Sequence, residues 1–298
     1  MQKNNDTRPD PDLILKALGY QSARPIGAGI NSVVYQLDEC RVIKLTPAVV
    51  GEMAARKSFL DHLGSKKLPF HIPQILEYGE IQGCFYSIET LVPGNSLRVV
   101  FPGIHDTEKV RCISGLFDVL DALHAVKVEG KFGEQLCGKS GVSDDTWRGF
   151  LSKKTRQQYE LNAERVRRDF SDFEKVVAQF QAELAGLSES TPHSVVHGDL
   201  FFPNIMASAD GCITGIVDFS ELTLIGDPLM DWVSLSIFVR DDEGRSLVHE
   251  MLRSKFGDAF IRYRRLYGMY YALRFCGCRD ADPDTYAWCL REFRNYRQ

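Results

Sequence analysis

Apolar and polar positions alternate from Arg24 to Pro47 (RPIGAGINSVVYQLDECRVIKLTP), with a polar break at Asp38-Glu39, and this period of two predicts a β-hairpin. A polar arm ending in Pro9, Asp10 and Pro11 comes before it, followed by a short helix around Leu13 to Leu18. From Val49 to Leu63 the period changes: Met53, Phe59, Leu60 and Leu63 recur at helical spacing beside Ala54 and Ala55. His71 to Leu97 predicts two or three more strands, punctuated by Gly79, Gly83 and the Pro93-Gly94 break. Strands, a helix and strands again in so short a span predict a small α+β lobe. Beyond Gly94 the pattern is mainly helical. Val110, Ile113, Phe117, Leu120 and Leu123 share one face, as do Phe173, Val176, Val177, Phe180, Leu184 and Leu187. Between these helices lie a glycine-rich loop, Gly130 to Gly141, and a charged span, Lys153 to Asp169, read as a solvated helix face. Strands return at Val195-Val196 and in a hairpin from Asn204 to Phe219 that turns at Asp210-Gly211. Helices resume near Pro228, with Trp232, Leu235 and Phe238 as a buried stripe. The predicted organisation is an α+β chain with an N-terminal lobe over 1–92 and a larger helical lobe over 93–298.

Composition narrows the function classes. The 298 residues are 44% hydrophobic and 26% charged, enough for one large domain or two lobes. A formal net charge of -4 without any long lysine run gives no electrostatic case for nucleic acid as a partner. The first twelve residues lack the apolar core of a secretory signal, and nowhere do eighteen apolar residues run together. A cytoplasmic protein that does not engage a membrane is therefore expected. The eight cysteines form no CxxC pair and the seven histidines no HExxH spacing, so the thiols are expected to be reduced and mostly buried, and no zinc site is expected.

Candidate chemistry concentrates in HGDLFFPN (His197 to Asn204) and the following GIVDFSE (Gly215 to Glu221). Taken singly, Asp199 reads as a turn or cap and Asn204 as a loop amide. Together they reproduce the D-x-x-x-x-N spacing of a kinase catalytic loop. There the Asp accepts the proton of the attacking hydroxyl and the Asn holds a metal. Asp218, at the end of an apolar run, supplies a second oxygen ligand for Mg2+, which prefers hard oxygen donors. His197 and Gly198 read as shaping the loop. Upstream, Gly27, Gly29 and Ser32 let backbone N–H groups approach phosphate, or simply form a tight hairpin turn; no helix pattern follows them, which disfavours a dinucleotide-binding unit. Lys44, between Ile43 and Leu45, is the candidate phosphate lysine, and Glu52 on the next helix is its candidate ion-pair partner.

With these parts in order, the chain resembles the aminoglycoside phosphotransferase family of kinase-like enzymes. The matching pieces are GAGINSVVY, RVIKL, SIETLVPGNSL, VVHGDLFFPNIM and GIVDFSELTLIGDPLMDW. The resemblance implies a bilobal protein-kinase-like fold, with a small antiparallel-sheet N-lobe and a larger, mainly helical C-lobe. ATP or GTP would lie in the cleft, its purine against the backbone of Glu89, Thr90, Leu91 and Val92. Asp227 and Asp231 match the family's second acidic motif, which the resemblance implies is structural in most members, with direct substrate contact as the other reading. The DFSE run and the segment Phe132 to Leu151 resemble the hygromycin and macrolide branches. An aminoglycoside is a hydroxyl-rich polycation, so Glu221, Asp227 and Asp231 become substrate candidates; Trp232, with Tyr267, Tyr270, Tyr271 and Trp288, would instead suit a choline-like cation. The leading expectation is transfer of the γ-phosphate of ATP or GTP to a hydroxyl of an aminoglycoside-type antibiotic, conferring resistance. The alternatives are a kinase of choline, a sugar or an amino alcohol, and a nucleotide-binding regulator without turnover.

Overall fold

The computed structural model describes residues 11–20, 23–28, 32–46, 50–187 and 191–297. The chain begins with α1 (Pro11–Ala17), β1 (Arg24–Ala28), β2 (Val33–Gln36) and β3 (Arg41–Thr46), followed by α2 (Val50–Gly64), β4 (Ile75–Ile81) and β5 (Cys84–Thr90). The five strands form one antiparallel sheet in the order β1-β2-β3-β5-β4. Gln82 and Gly83 both take positive φ, 52° and 76°, the conformation that lets a two-residue turn join twisted strands, so Ile81 pairs with Cys84. Strand alternation gives the sheet two different faces. Ile43, Leu45, Tyr86 and Ile88 pack with Ile14 and Leu15 of α1, whereas Lys44 is paired with Ser87 on the opposite face, which Glu89 shares.

The rest of the chain is mostly helical. After β6 (Asn95–Ser96) and α3 (Leu97–Val100) come α4 (Asp106–His124), β7 (Phe132–Glu134), β8 (Ser143–Asp144), α5 (Trp147–Asp169) and α6 (Phe173–Ala185). Then follow β9 (Ser194–Val196), β10 (Ile205–Ala207), β11 (Ile213–Ile216), β12 (Leu224–Gly226), α7 (Leu229–Phe238), α8 (Asp242–Phe256), α9 (Ala259–Phe275) and α10 (Pro283–Arg297). Two small sheets, β11-β10-β6 and β8-β7-β12-β9, carry the segments on either side of HGDLFFPN. His71 bridges to Gly215 of β11, donating its N–H to Thr214 O and accepting from Ile216 N–H, and so ties the N-terminal sheet to this region.

Three details depart from the sequence pattern. Val110, expected on the buried face of α4, is exposed, although Ile113, Phe117, Leu120 and Leu123 are buried. The charged helix α5 is not simply a solvated face. Lys154, Thr155, Gln158 and Asn162 are buried, and Lys154 lies 2.6 Å from the equally buried Glu134. The glycine-rich loop contains β7, where Gly133 (φ 127°) passes so close to Val142 that a Cβ would sit 2.3 Å from its carbonyl oxygen. All eight cysteines are free, and half of them, Cys84, Cys112, Cys276 and Cys289, are buried. Among the described residues, no helix is long and apolar enough to cross a membrane.

Candidate active site

β9 feeds directly into His197, and a fully buried carboxylate on α7 catches the loop as it turns. The His197 N–H donates to Asp231 Oδ2 at 2.9 Å and the Gly198 N–H to Oδ1 at 2.8 Å, while His124 Nε2 lies 3.0 Å from Oδ2. Gly198 can only be glycine here: φ is 80°, and a Cβ would fall 1.9 Å from the Leu222 carbonyl oxygen. His197 is itself wholly buried. Its Nδ1 accepts from the Asp199 N–H at 3.3 Å, which assigns the proton to Nε2 and makes that atom the donor to Val217 O at 2.9 Å. One imidazole thus ties the Asp199 loop to the residue before Asp218. Leu200 is held in turn by the Ser234 hydroxyl, which accepts its N–H at 3.1 Å.

The three residues expected to do chemistry converge on this scaffold. Asn204 Nδ2 donates to the Asp199 carbonyl oxygen at 2.8 Å and to Asp199 Oδ2 at 3.2 Å, which turns the amide Oδ1 away from that pair. Asp218 adopts φ 66°, a left-handed conformation that costs a non-glycine residue about 1–3 kcal/mol. Its Oδ1 pairs with Lys44 Nζ, across from the N-terminal sheet. Burial alone would raise the Asp218 carboxyl, but the Lys44 ammonium beside it, and Arg56 farther off, take it below the usual carboxylate range. Asp199 responds in the opposite direction: burial first, with the Asp218 charge in addition, outweighs the Asn204 hydrogen bond, so its pKa is pushed up to about 6. Phe219 lies fully buried between His197 (ring centroids 4.8 Å) and Phe59 of α2 (6.3 Å), joining the helix to the His197–Asn204 loop.

The other sequence candidates divide. Gly27 lies on β1 opposite Val34 and Ser32 just before β2, so this element is a hairpin; Gly29 falls outside the described residues. Among the described residues, Glu52 makes no ion pair with Lys44, whose partner is Asp218. In the hinge, the Thr90 N–H is taken by Gln74 O at 2.9 Å and the Leu91 N–H by Cys40 O at 2.7 Å, and Val92 is buried. The Glu89 side chain is buried too, accepting from the Ser87 hydroxyl at 2.6 Å and facing Arg56 Nη2 at 3.3 Å. Two substrate candidates need correction. Asp231 is fully buried and consumed by loop amides, and Trp232 is core, its ring 4.4 Å from Phe117 and sealed from solvent. Asp227 is half-buried, accepting from the Tyr267 hydroxyl and, at 3.0 Å, from the Leu229 N–H, and burial raises its carboxyl. Glu221 is exposed. Arg56 went unnoticed in the sequence because nothing in a single charged helix position marks it as buried.

A family model described as the phosphotransferase enzyme family matches residues 22–268. The chain belongs to that family. Comparison with curated proteins finds no match. Among solved structures this phosphotransferase is similar to APH(2")-IIIa in complex with GDP and kanamycin, with TM-score 0.69, 20% identity and coverage of 95% of this chain and 96% of that one. A streptomycin-ATP complex of APH(2")-IIa gives TM-score 0.64 at 15% identity, covering 97% of both chains. A putative fructosamine-3-kinase from Haemophilus somnus gives 0.66 at 14%, covering 96% of both. At these identities the likeness establishes the fold alone: a kinase-like fold with an antiparallel-sheet N-terminal part and a mainly helical C-terminal part.

Proposed function

We propose that this phosphotransferase moves the γ-phosphate of ATP or GTP to a hydroxyl of an aminoglycoside-type antibiotic, in the cytoplasm, with resistance as the outcome. The observation that carries the reading is the convergence of Asp199, Asn204 and Asp218 with Lys44 from the other lobe. Asp199 orients the acceptor hydroxyl and takes its proton; a carboxyl pushed up to about 6 stays largely ionised at neutral pH yet is basic enough for the task. Lys44 meets the phosphates, and the Val92 N–H and C=O, without backbone partners among the described residues, offer hinge groups for a purine edge. The donor set suits Mg2+: a carboxylate and an amide oxygen, with the remaining positions left to phosphate and water. Asn204 and Asp218 would hold the ion, which would neutralise charge on the transferring phosphoryl group.

Support for the acceptor class comes from the solved relatives with kanamycin and streptomycin, and from the exposed Glu221 near Asp199. The choline reading loses most of its cage, since Trp232, Tyr267, Tyr270 and Tyr271 are buried, while the fifth ring, Trp288, is half-buried against Phe238. A sugar-amine kinase is the second reading, favoured by the fructosamine-3-kinase likeness. A non-catalytic regulator fits poorly with a site that retains every reacting part. The deciding experiment incubates purified protein with ATP or GTP and Mg2+ against kanamycin, gentamicin, streptomycin and a fructosamine, reading phosphorylated product by mass. Product from the fructosamine alone would transfer the assignment to the second reading, and nucleotide binding without any product would sink both.

A further inference from the structure

Arg56, on the buried side of α2, has an unusual environment. The residue is 8% exposed, and its Nη2 lies 3.3 Å from Glu89 Oε1, an ion pair too poorly aligned to count as a hydrogen bond. Both Nε and Nη2 lack a hydrogen-bond acceptor among the described residues. A guanidinium has five donors and is costly to bury without using them, so a buried Arg that satisfies so few is retained for its charge. That charge acts on two carboxylates: Glu89 directly, and Asp218 at longer range.

The sheet explains why the position matters. Lys44 is paired with Ser87 across β3 and β5, and Glu89 is two residues along β5 on the same face, a diagonal neighbour at about 7–8 Å between backbones. The long lysine side chain therefore has two carboxylates within reach, Asp218 and Glu89. It bonds to Asp218. Glu89 is occupied instead by Arg56 and the Ser87 hydroxyl. We propose that Arg56 is a positioning residue for nucleotide binding: by neutralising Glu89 it keeps Lys44 committed to Asp218, so that α2 is coupled to the site through Arg56 and not through Glu52.

Because this role presumes that Lys44 meets nucleotide phosphates, it rests on the phosphotransferase reading above. The test is a double-mutant cycle, with Mg-ATP and Mg-GTP affinity read by calorimetry and unfolding temperature followed alongside. Arg56→Met is expected to weaken nucleotide binding about tenfold or more, since Lys44 is then drawn to the unpaired Glu89. On a Glu89→Met background the same Arg56→Met change is expected to cost less than about threefold, because the competing carboxylate is gone. Arg56→Met is also expected to cost more affinity than Glu52→Gln. A merely structural Arg56 would lower the unfolding temperature without this background dependence. Equal penalties on both backgrounds, or a larger penalty for Glu52→Gln, overturn the proposal. Should Arg56→Met fail to fold, Arg56→Lys keeps the charge and is expected to hold affinity within about threefold; a tenfold loss there overturns it as well. A wild-type chain that binds neither nucleotide removes the phosphotransferase reading and this role together, whereas normal wild-type binding with an indifferent Arg56 removes this role alone.

Discussion

The two sides of the candidate site are built on opposite principles. On the side of the His197–Asn204 loop, Asp231 is completely buried and receives two backbone N–H groups, with His124 as a third neighbour, and His197 spends one ring nitrogen on Asp199 and the other on Val217. On the side of Lys44, that residue, Arg56, Glu89 and Asp218 are held mainly by charge, with guanidinium N–H groups that no described acceptor satisfies. A network with its hydrogen bonds fulfilled fixes one geometry, whereas charges in a partly buried setting leave geometry responsive to what else carries charge nearby. Position is therefore bonded in on the side proposed to handle the hydroxyl and balanced electrostatically on the side proposed to meet phosphate.

The sharpest way to break this contrast is to replace the reacting carboxylate without touching the scaffold. Asp199→Ala is expected to cut turnover by about 10²–10⁴-fold, the usual worth of a positioned base, with an unchanged unfolding temperature. Near-wild-type turnover would remove Asp199 as the base. Asp231→Ala should do the reverse in kind: two buried amides lose their acceptor and His124 its partner, at a cost of about 3–5 kcal/mol in stability. Denaturant unfolding reads this directly, and an Asp231→Ala protein as stable as wild type would mean that the loop does not depend on it.

Third in size is Lys44→Met. Loss of a charge-assisted contact is worth about 1.5–3 kcal/mol, so nucleotide affinity should fall about 10–100-fold while the fold persists. The contrast with Asp231 is the informative part, since a large loss of stability from Lys44→Met would show the two sides to be built alike.

How much of this could be read from the chain depends on the range of the signal. Asp199, Asn204 and Asp218 were legible because their spacing is local and Gly198 next to them admits a single residue type. The N-terminal strands were legible in their alternation, but a hairpin and two or three further strands were expected where five strands form one sheet, and the polar row of Lys44, Ser87 and Glu89 emerges only from the register of β3 against β5. Asp231 and Trp232 each carried two readings, structural and substrate-facing, because a motif shows that a carboxylate and a ring are near a site without showing which way they face. Both turn inward, one to backbone amides and one to Phe117. The polar inner face of α5 and the burial of Arg56 were illegible for a related reason. Each depends on a partner distant in sequence, Glu134 for Lys154 and Glu89 for Arg56, so amphipathic periodicity assigns both to solvent.

The smallest effect tests whether burial, and not the bond itself, makes Asp231 matter. Asp282 performs the same local chemistry at the start of α10: its carboxylate accepts the Thr285 N–H at 3.0 Å and the Thr285 hydroxyl at 2.7 Å, but in a partly exposed place. Water can replace such bonds, so Asp282→Ala should cost about 1 kcal/mol, the typical worth of a helix cap. The Thr285 N–H and hydroxyl hold the Asp282 carboxyl below its ordinary range. A depressed folded pKa means that the contribution is fully present above the unfolded value of about 4 and is lost as pH falls through the folded one. Thermal unfolding of wild type and Asp282→Ala should therefore differ at neutral pH and converge in acid. If Asp282→Ala instead cost as much as Asp231→Ala, the number of bonds to the carboxylate would matter more than their burial, and the distinction between a bonded side and a balanced side would lose its physical basis.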